Sequence, residues 1–161
     1  LGNFFTVRDV AKQFGYEPIK FLMLQAHYRS PINYSYDIVE QCKAALERLY
    51  TCRDNLDFAL KNAKDEADAN DSEIIALIDA KKDKFIEAME DDLNTGEALG
   101  AVFELVKDIN TNVNDGVQSK SLVEYAIKVF DEPESETSAK EAKKAEKAAK
   151  KADKNAGKEN K

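Results

Sequence analysis

Tryptophan is absent from the 161 residues, and histidine (1), cysteine (2), proline (3) and glycine (6) are all scarce. So little Gly and Pro leaves few turns for a many-stranded sheet, and the composition favours an all-α protein. One histidine and no C-x-x-C pair give no zinc-site spacing. Cys42 and Cys52 fall on one helical pattern, about 15 Å apart along its axis, and a disulfide needs Cα atoms within about 7 Å. Two reduced structural thiols are expected, Cys42 in an apolar stripe and Cys52 near its edge. No run approaches the roughly 18 apolar residues of a membrane-spanning helix, and the N-terminus has no signal-peptide pattern. A cytoplasmic chain without membrane contact is the expectation. Excess positive charge is lacking too: the net charge is −7, which excludes a nucleic-acid binder working by bulk electrostatics and leaves only local basic patches.

What is present is helical periodicity, strongest from Ser35 to Lys64. That stretch has no Gly or Pro, and Val39, Cys42, Leu46, Leu49, Leu56 and Leu60 recur at helical spacing. It predicts one long amphipathic helix, capped by Ser35, as the spine of a bundle. Lys43 with Glu47 and Asp57 with Lys61 stand at i,i+4 on its outer side.

Before the spine, Thr6 caps a short helix with Asp9 at the capping-box position. Val7, Val10, Ala11 and Phe14 form its buried face and Gly15 its stop. Arg8 and Lys12 share the outer face. Pro18 opens a second helix in which Ile19, Phe21, Leu22, Met23, Leu24 and Ala26 are apolar nearly all round, so burial of that helix is expected. The stretch from His27 to Ser35 reads as a loop, since Pro31 turns Ser30 away from helix.

After the spine, a polar break runs from Lys64 to Asp71. Asp71 or Ser72 then caps a helix with Ile75, Ile78, Phe85, Ile86 and Met89 on one face, ending at Asp91 and Asp92. Adjacent acids on a helix point about 100° apart, so that pair makes a poor metal or catalytic site. Asn94, with Glu97 three later, caps a helix apolar on a broad arc (Leu99, Val102, Phe103, Leu105, Val106, Ile109), the central strut. Asn112 to Gly116 end it, and Ser121 starts a last helix carrying Leu122, Val123, Ala126, Ile127, Val129 and Phe130. Beyond Glu132 the sequence turns to Ala, Lys and Glu and cannot bury enough apolar surface to offset ordering. The expected layout is a segment 1–34, an antiparallel helical bundle 35–131, and a disordered tail 132–161. Trimming Glu134 to Lys161 is therefore expected to shift the urea midpoint by the equivalent of less than about 1 kcal/mol.

Two stretches carry a family resemblance. Leu1-Gly2-Asn3-Phe4-Phe5-Thr6 resembles the sequence after the K-M-S-K-S signature of class I aminoacyl-tRNA synthetases. The run from Phe21 through His27-Tyr28-Arg29-Ser30-Pro31-Ile32-Asn33-Tyr34-Ser35 is similar to the cysteinyl-tRNA synthetase family in particular. Asp91-Asp92-Leu93-Asn94-Thr95 and Ala98-Leu99-Gly100 resemble that family's helical bundle, named after a D-A-L-R signature. Here the signature reads Glu97-Ala98-Leu99-Gly100, without the arginine. The resemblance covers about Leu1 to Phe130. It implies a stem-contact segment to about Tyr34 followed by the bundle.

The family's H-I-G-H motif, K-M-S-K-S lysines and zinc ligands match nothing in this sequence, and the chain opens on Leu1 rather than Met. The resemblance therefore implies a non-catalytic piece of a larger enzyme, in which ATP and zinc serve the remainder and this chain itself holds no cofactor or metal. The implied partners are tRNA (tRNA-Cys) and the enzyme's own catalytic domain, with the chain a monomer. Arg8, Lys12, Lys20 and Arg29 are the candidate phosphate contacts, because Lys and Arg hold RNA backbone without reading sequence. His27 and Tyr28 are expected to fix their loop against the bundle. A helical protein–protein adaptor and a related cysteine:amine ligase are the alternatives.

Overall fold

The computed structural model describes residues 6–26, 31–113 and 118–132. Among them run six helices: α1 (Val7–Phe14), α2 (Glu17–Gln25), α3 (Tyr36–Asn62), α4 (Asp71–Glu90), α5 (Thr95–Asn112) and α6 (Lys120–Asp131). The described residues contain no sheet, only an isolated parallel bridge between Lys64 and Ser119. Cross-contacts give the directions. Arg53 of α3 holds Asp131 at the end of α6, while Lys64, just past α3, meets Ser119 at the start of α6, so the two helices are antiparallel. α4 and α5 form a hairpin in which Lys81 and Lys84 reach Glu104, and Tyr125 of α6 donates to Asp79 of α4. The expected tail beyond Glu132 and the residues His27, Tyr28, Arg29 and Ser30 lie outside the described residues.

Most start signals act as their chemistry dictates. Thr6 and Asp9 close a full capping box at 3.3 Å each way, and Ser35 accepts from the Ile38 N–H at 3.3 Å. Asn94 accepts from the Glu97 N–H at 3.2 Å, and Glu97 answers on the Asn94 side-chain amide at 3.0 Å rather than on its backbone. Two caps differ from the sequence expectation. Ser119, not Ser121, caps α6: its hydroxyl takes the Leu122 N–H at 3.2 Å, and Ser121 lies inside the first turn, 3.0 Å from it. Neither Asp71 nor Ser72 caps α4. Asp71 is its first residue, and its buried carboxylate turns back to accept the Asp68 N–H at 2.9 Å.

α3 ends two residues short of the expected Lys64 for a similar reason. The Lys64 N–H donates to Gln118 and its carbonyl accepts from Lys120, at 3.0 and 2.7 Å, so its backbone serves the α6 junction instead. On the outer face Lys43 does pair with Glu47, at 3.8 Å. Asp57 takes Arg53, one turn back, instead of Lys61, because Arg53 is already drawn to that side by Asp131.

The interior is in two parts. The larger joins Cys52, Leu56, Ala59, Ile78, Leu105, Ile109, Leu122 and Val123, drawing on α3 to α6. The smaller gathers Val10, Ile19, Phe21, Leu22, Val39 and Cys42, where α1 and α2 lie on the first half of α3. Cys52 is therefore in the core and not at the stripe's edge; burial pushes its thiol up to about 11. α2 is not buried all round either. Met23 is 51% and Leu24 48% exposed, since α3 and α5 cover one side of it only, and Val7 is 48% exposed at the open start of α1.

Gly100 lies inside α5 and is exposed, and a Cβ added there would meet nothing within 4 Å. Gly100→Ala is thus expected to raise stability by about 0.5–1 kcal/mol, through helix propensity alone, as a higher urea midpoint at unchanged slope.

Candidate nucleic-acid interface

Of the candidate phosphate contacts, Arg8 and Lys12 are exposed on α1 and Lys20 is exposed on α2. No ion pair is found for these three among the described residues. Arg29, His27 and Tyr28 fall outside the described residues. The structure places α1 and α2 together on the first half of α3 through the smaller core. The Asp9 carboxyl beside Arg8 is held below its usual range by hydrogen bonds from Thr6, with Lys12 adding to the effect.

Charge is divided between the two parts of the fold. Residues 6–26 carry three basic and two acidic side chains, whereas 31–113 and 118–132 carry eleven basic and twenty-two acidic. A polyanion meets repulsion over most of the bundle and only its least acidic region at α1 and α2. One cleft illustrates this. It has about 470 Å³ between the end of α4 and the start of α5, and is lined by Glu87, Asp91, Glu97 and Glu104 with Lys84 and Gly100. Lys81 and Lys84 hold the Glu104 carboxyl down at about 2. Gly100, where the signature arginine is missing, adds no counter-charge. Among the described residues no cluster of three or more His, Cys, Asp or Glu could hold a metal. Neither thiol suits a zinc ligand: Cys42 is buried and donates to the Gln25 side chain at 3.2 Å, and Cys52 is sealed in the larger core.

The end of α2 and the start of α5 come together. The Gln25 carbonyl, last turn of α2, sits where a Cβ on Gly96 would be only 3.2 Å away. The end of α2 therefore lies beside the turn Asp91–Thr95. That turn places Asp92 and Leu93 at φ 52° and 56°, a strained pair for residues with side chains.

Sequence reasoning missed three features. Arg48 lies over the Phe103 ring, 5.1 Å from its centre, and Phe103 meets Phe21 edge-on at 6.1 Å. Gly96 allows the close approach of α2. Tyr16 and Tyr50 flank a hollow of about 250 Å³ with Phe14, Pro18 and Leu46 at its base. Residues so far apart in sequence leave no local pattern to find.

The DALR domain family matches residues 84–158, from the middle of α4 past the end of α6. That reaches well beyond Phe130, where the resemblance read from the sequence stops, because the Ala, Lys and Glu residues offer no apolar stripe to recognise. A cysteine–tRNA ligase of Caldicellulosiruptor saccharolyticus is 52% identical over 114 residues, 71% of this chain and 24% of that protein. One from Clostridioides difficile is 44% identical over 132 residues, 81% of this chain and 28% of its own length. One from Lachnospira eligens is 45% identical over 129 residues, 80% and 27%. The chain spans about a quarter of the length of these curated relatives. No helix of the described residues is long and apolar enough to cross a membrane.

Proposed function

The chain carries a DALR domain and is homologous to a stretch of cysteine–tRNA ligases about a quarter of their length, and from that premise we propose that it is the tRNA-contacting, non-catalytic part of such a ligase. In this reading it works in the cytoplasm as a monomer within one polypeptide, beside a catalytic domain that supplies the ATP and zinc chemistry. Its own residues orient RNA. The observation that supports this most is the partition of charge, which leaves α1 and α2 as the part of the surface a phosphate backbone can approach.

Arg8, Lys12 and Lys20 would neutralise phosphates there, with Arg29 as a fourth contact. Such contacts fix position and carry no sequence information. Most of the binding free energy would be electrostatic, opposed by the acidic bundle, so affinity for folded tRNA is expected to be weak and to fall with salt. The slope of log K against log salt should be about −0.7 to −0.9 per phosphate contacted. Arg8→Glu with Lys12→Glu should flatten that slope by more than one unit. Equal binding by the double variant would move the RNA face elsewhere. Cysteine-dependent ATP–pyrophosphate exchange by the 161 residues alone should be undetectable, and measurable exchange would refute the assignment.

A protein-binding adaptor has one observation in its favour, the exposed apolar pair Met23 and Leu24 on α2. In that case tRNA would fail to bind even at low salt.

A further inference from the structure

We propose that the hollow between the α1–α2 turn and the middle of α3 is a stacking site for one unpaired nucleobase, bounded by Tyr16 and Tyr50. The proposal rests on the RNA reading above and names a contact within it. Tyr16 is 62% and Tyr50 51% exposed, large values for aromatic rings on a small bundle, and both line the same hollow. Its base is apolar, from Phe14, Pro18 and Leu46. At about 250 Å³ it is smaller than the roughly 300–1,000 Å³ of pockets that take whole cofactors or drug-sized ligands, so its capacity suits a single planar group. Exposed aromatic faces beside cations are how single-stranded RNA is held, with the base on the ring and its phosphates on Lys or Arg.

Three charged groups line the hollow: Lys43, Glu47 and Glu17. Glu17 is engaged by the Tyr50 hydroxyl, which donates to it at 2.8 Å, and this bond holds the ring against the α2 start. Lys43 meets Glu47 only at 3.8 Å, with both side chains more than half exposed, a pairing weak enough for Lys43 to turn to a phosphate. Lys20 rises one helical turn beyond Tyr16 on α2, and Lys12 lies in the last turn of α1. Both cations belong to the two helices joined at the turn that bounds the hollow. A base entering it would bring a flanking phosphate to Lys43, which lines the hollow, with Lys12 and Lys20 on the two helices whose junction bounds it.

Stacking and phosphate pairing respond differently to salt, and that separates this site from the wider RNA face. The test titrates the full chain with a folded tRNA-Cys transcript, and with a perfect RNA duplex of equal length, at several salt concentrations. Tyr16→Ala with Tyr50→Ala is expected to weaken tRNA binding roughly 5- to 150-fold at every salt concentration, with the slope unchanged. Binding of the duplex, which has no unstacked base to offer, should be unaffected. Tyr16→Phe keeps that ring and leaves the Tyr50–Glu17 bond in place, and should bind tRNA as the parent does. Both tyrosines are exposed, so circular dichroism should show the helices intact in each variant. Parent-like tRNA affinity of the alanine variant, or an equal loss on the duplex, would overturn the stacking site while leaving the phosphate contacts standing. Absence of RNA binding by the parent chain would overturn both.

Discussion

Leu56→Ala is expected to lower the free energy of unfolding by about 2–5 kcal/mol, among the largest effects of any single truncation in this chain. Leu56 is 0% exposed and lies in the larger core with Ile78, Ile109 and Leu122, so the lost methyl groups leave a cavity walled by three other helices. Long helices tied by Arg53 to Asp131 and by Lys81 to Glu104 cannot easily move inward to fill it. Urea denaturation should show a lower midpoint at an unchanged slope. Phe58→Ala is the control on the same helix: Phe58 is 65% exposed, and its removal should stay within about 0.5 kcal/mol. A loss at Leu56 no larger than at Phe58 would mean the larger core is not close-packed.

The same helix marks how far the sequence could be read. α3 was legible because its period is long, unbroken and capped by Ser35, and a wrong partner would still leave its stripe inward. What periodicity cannot supply is which neighbour covers which side. Cys52 looked peripheral on α3's own stripe, yet α6 packs across that side and buries it. Met23 and Leu24 looked buried because α2 is apolar nearly all round, but a helix lying on α3 and α5 keeps one side bare. The caps failed where tertiary demands outranked local ones. Ser119 and Ser121 are equally good cap residues, and the bonds from Lys64 to Gln118 and Lys120 decide between them.

For the candidate interface, the basic residues of α1 and α2 could be named from sequence, since charge is a local property. The Tyr16–Tyr50 hollow could not, because it exists only once α2 returns antiparallel along α3 and brings Glu17 to Tyr50. The strained pair Asp92 and Leu93 was equally silent: nothing in Asp91-Asp92-Leu93-Asn94 requires positive φ until Asn94 must donate its backbone N–H to Ala88 at 2.9 Å while capping α5.

Gly96→Val is the second large effect, and it tests whether α2 is locked to the bundle at this one point. Alanine at 96 would place its Cβ 3.2 Å from the Gln25 carbonyl oxygen, a backbone atom that has to yield by a few tenths of an ångström. The helix-propensity gain of up to about 1 kcal/mol offsets part of that, so Gly96→Ala should be nearly neutral. Valine adds two methyl groups at the same place with restricted rotamers, and overpacking of this kind costs about 1–3 kcal/mol. The strain falls on the end of α2, whose Gln25 side chain covers the Cys42 thiol at 3.2 Å. Cys42 belongs to the smaller core and Cys52 to the larger, so the two thiols report on the two parts separately. Burial raises the pKa of both, which keeps them slow toward thiol reagents while the helices stay closed. In the valine variant Cys42 should label faster while Cys52 keeps the parent rate, read by peptide mapping after timed alkylation. If both thiols accelerated together, the variant would be unfolding as a whole. If neither did, the α2 end would not depend on the close approach at Gly96.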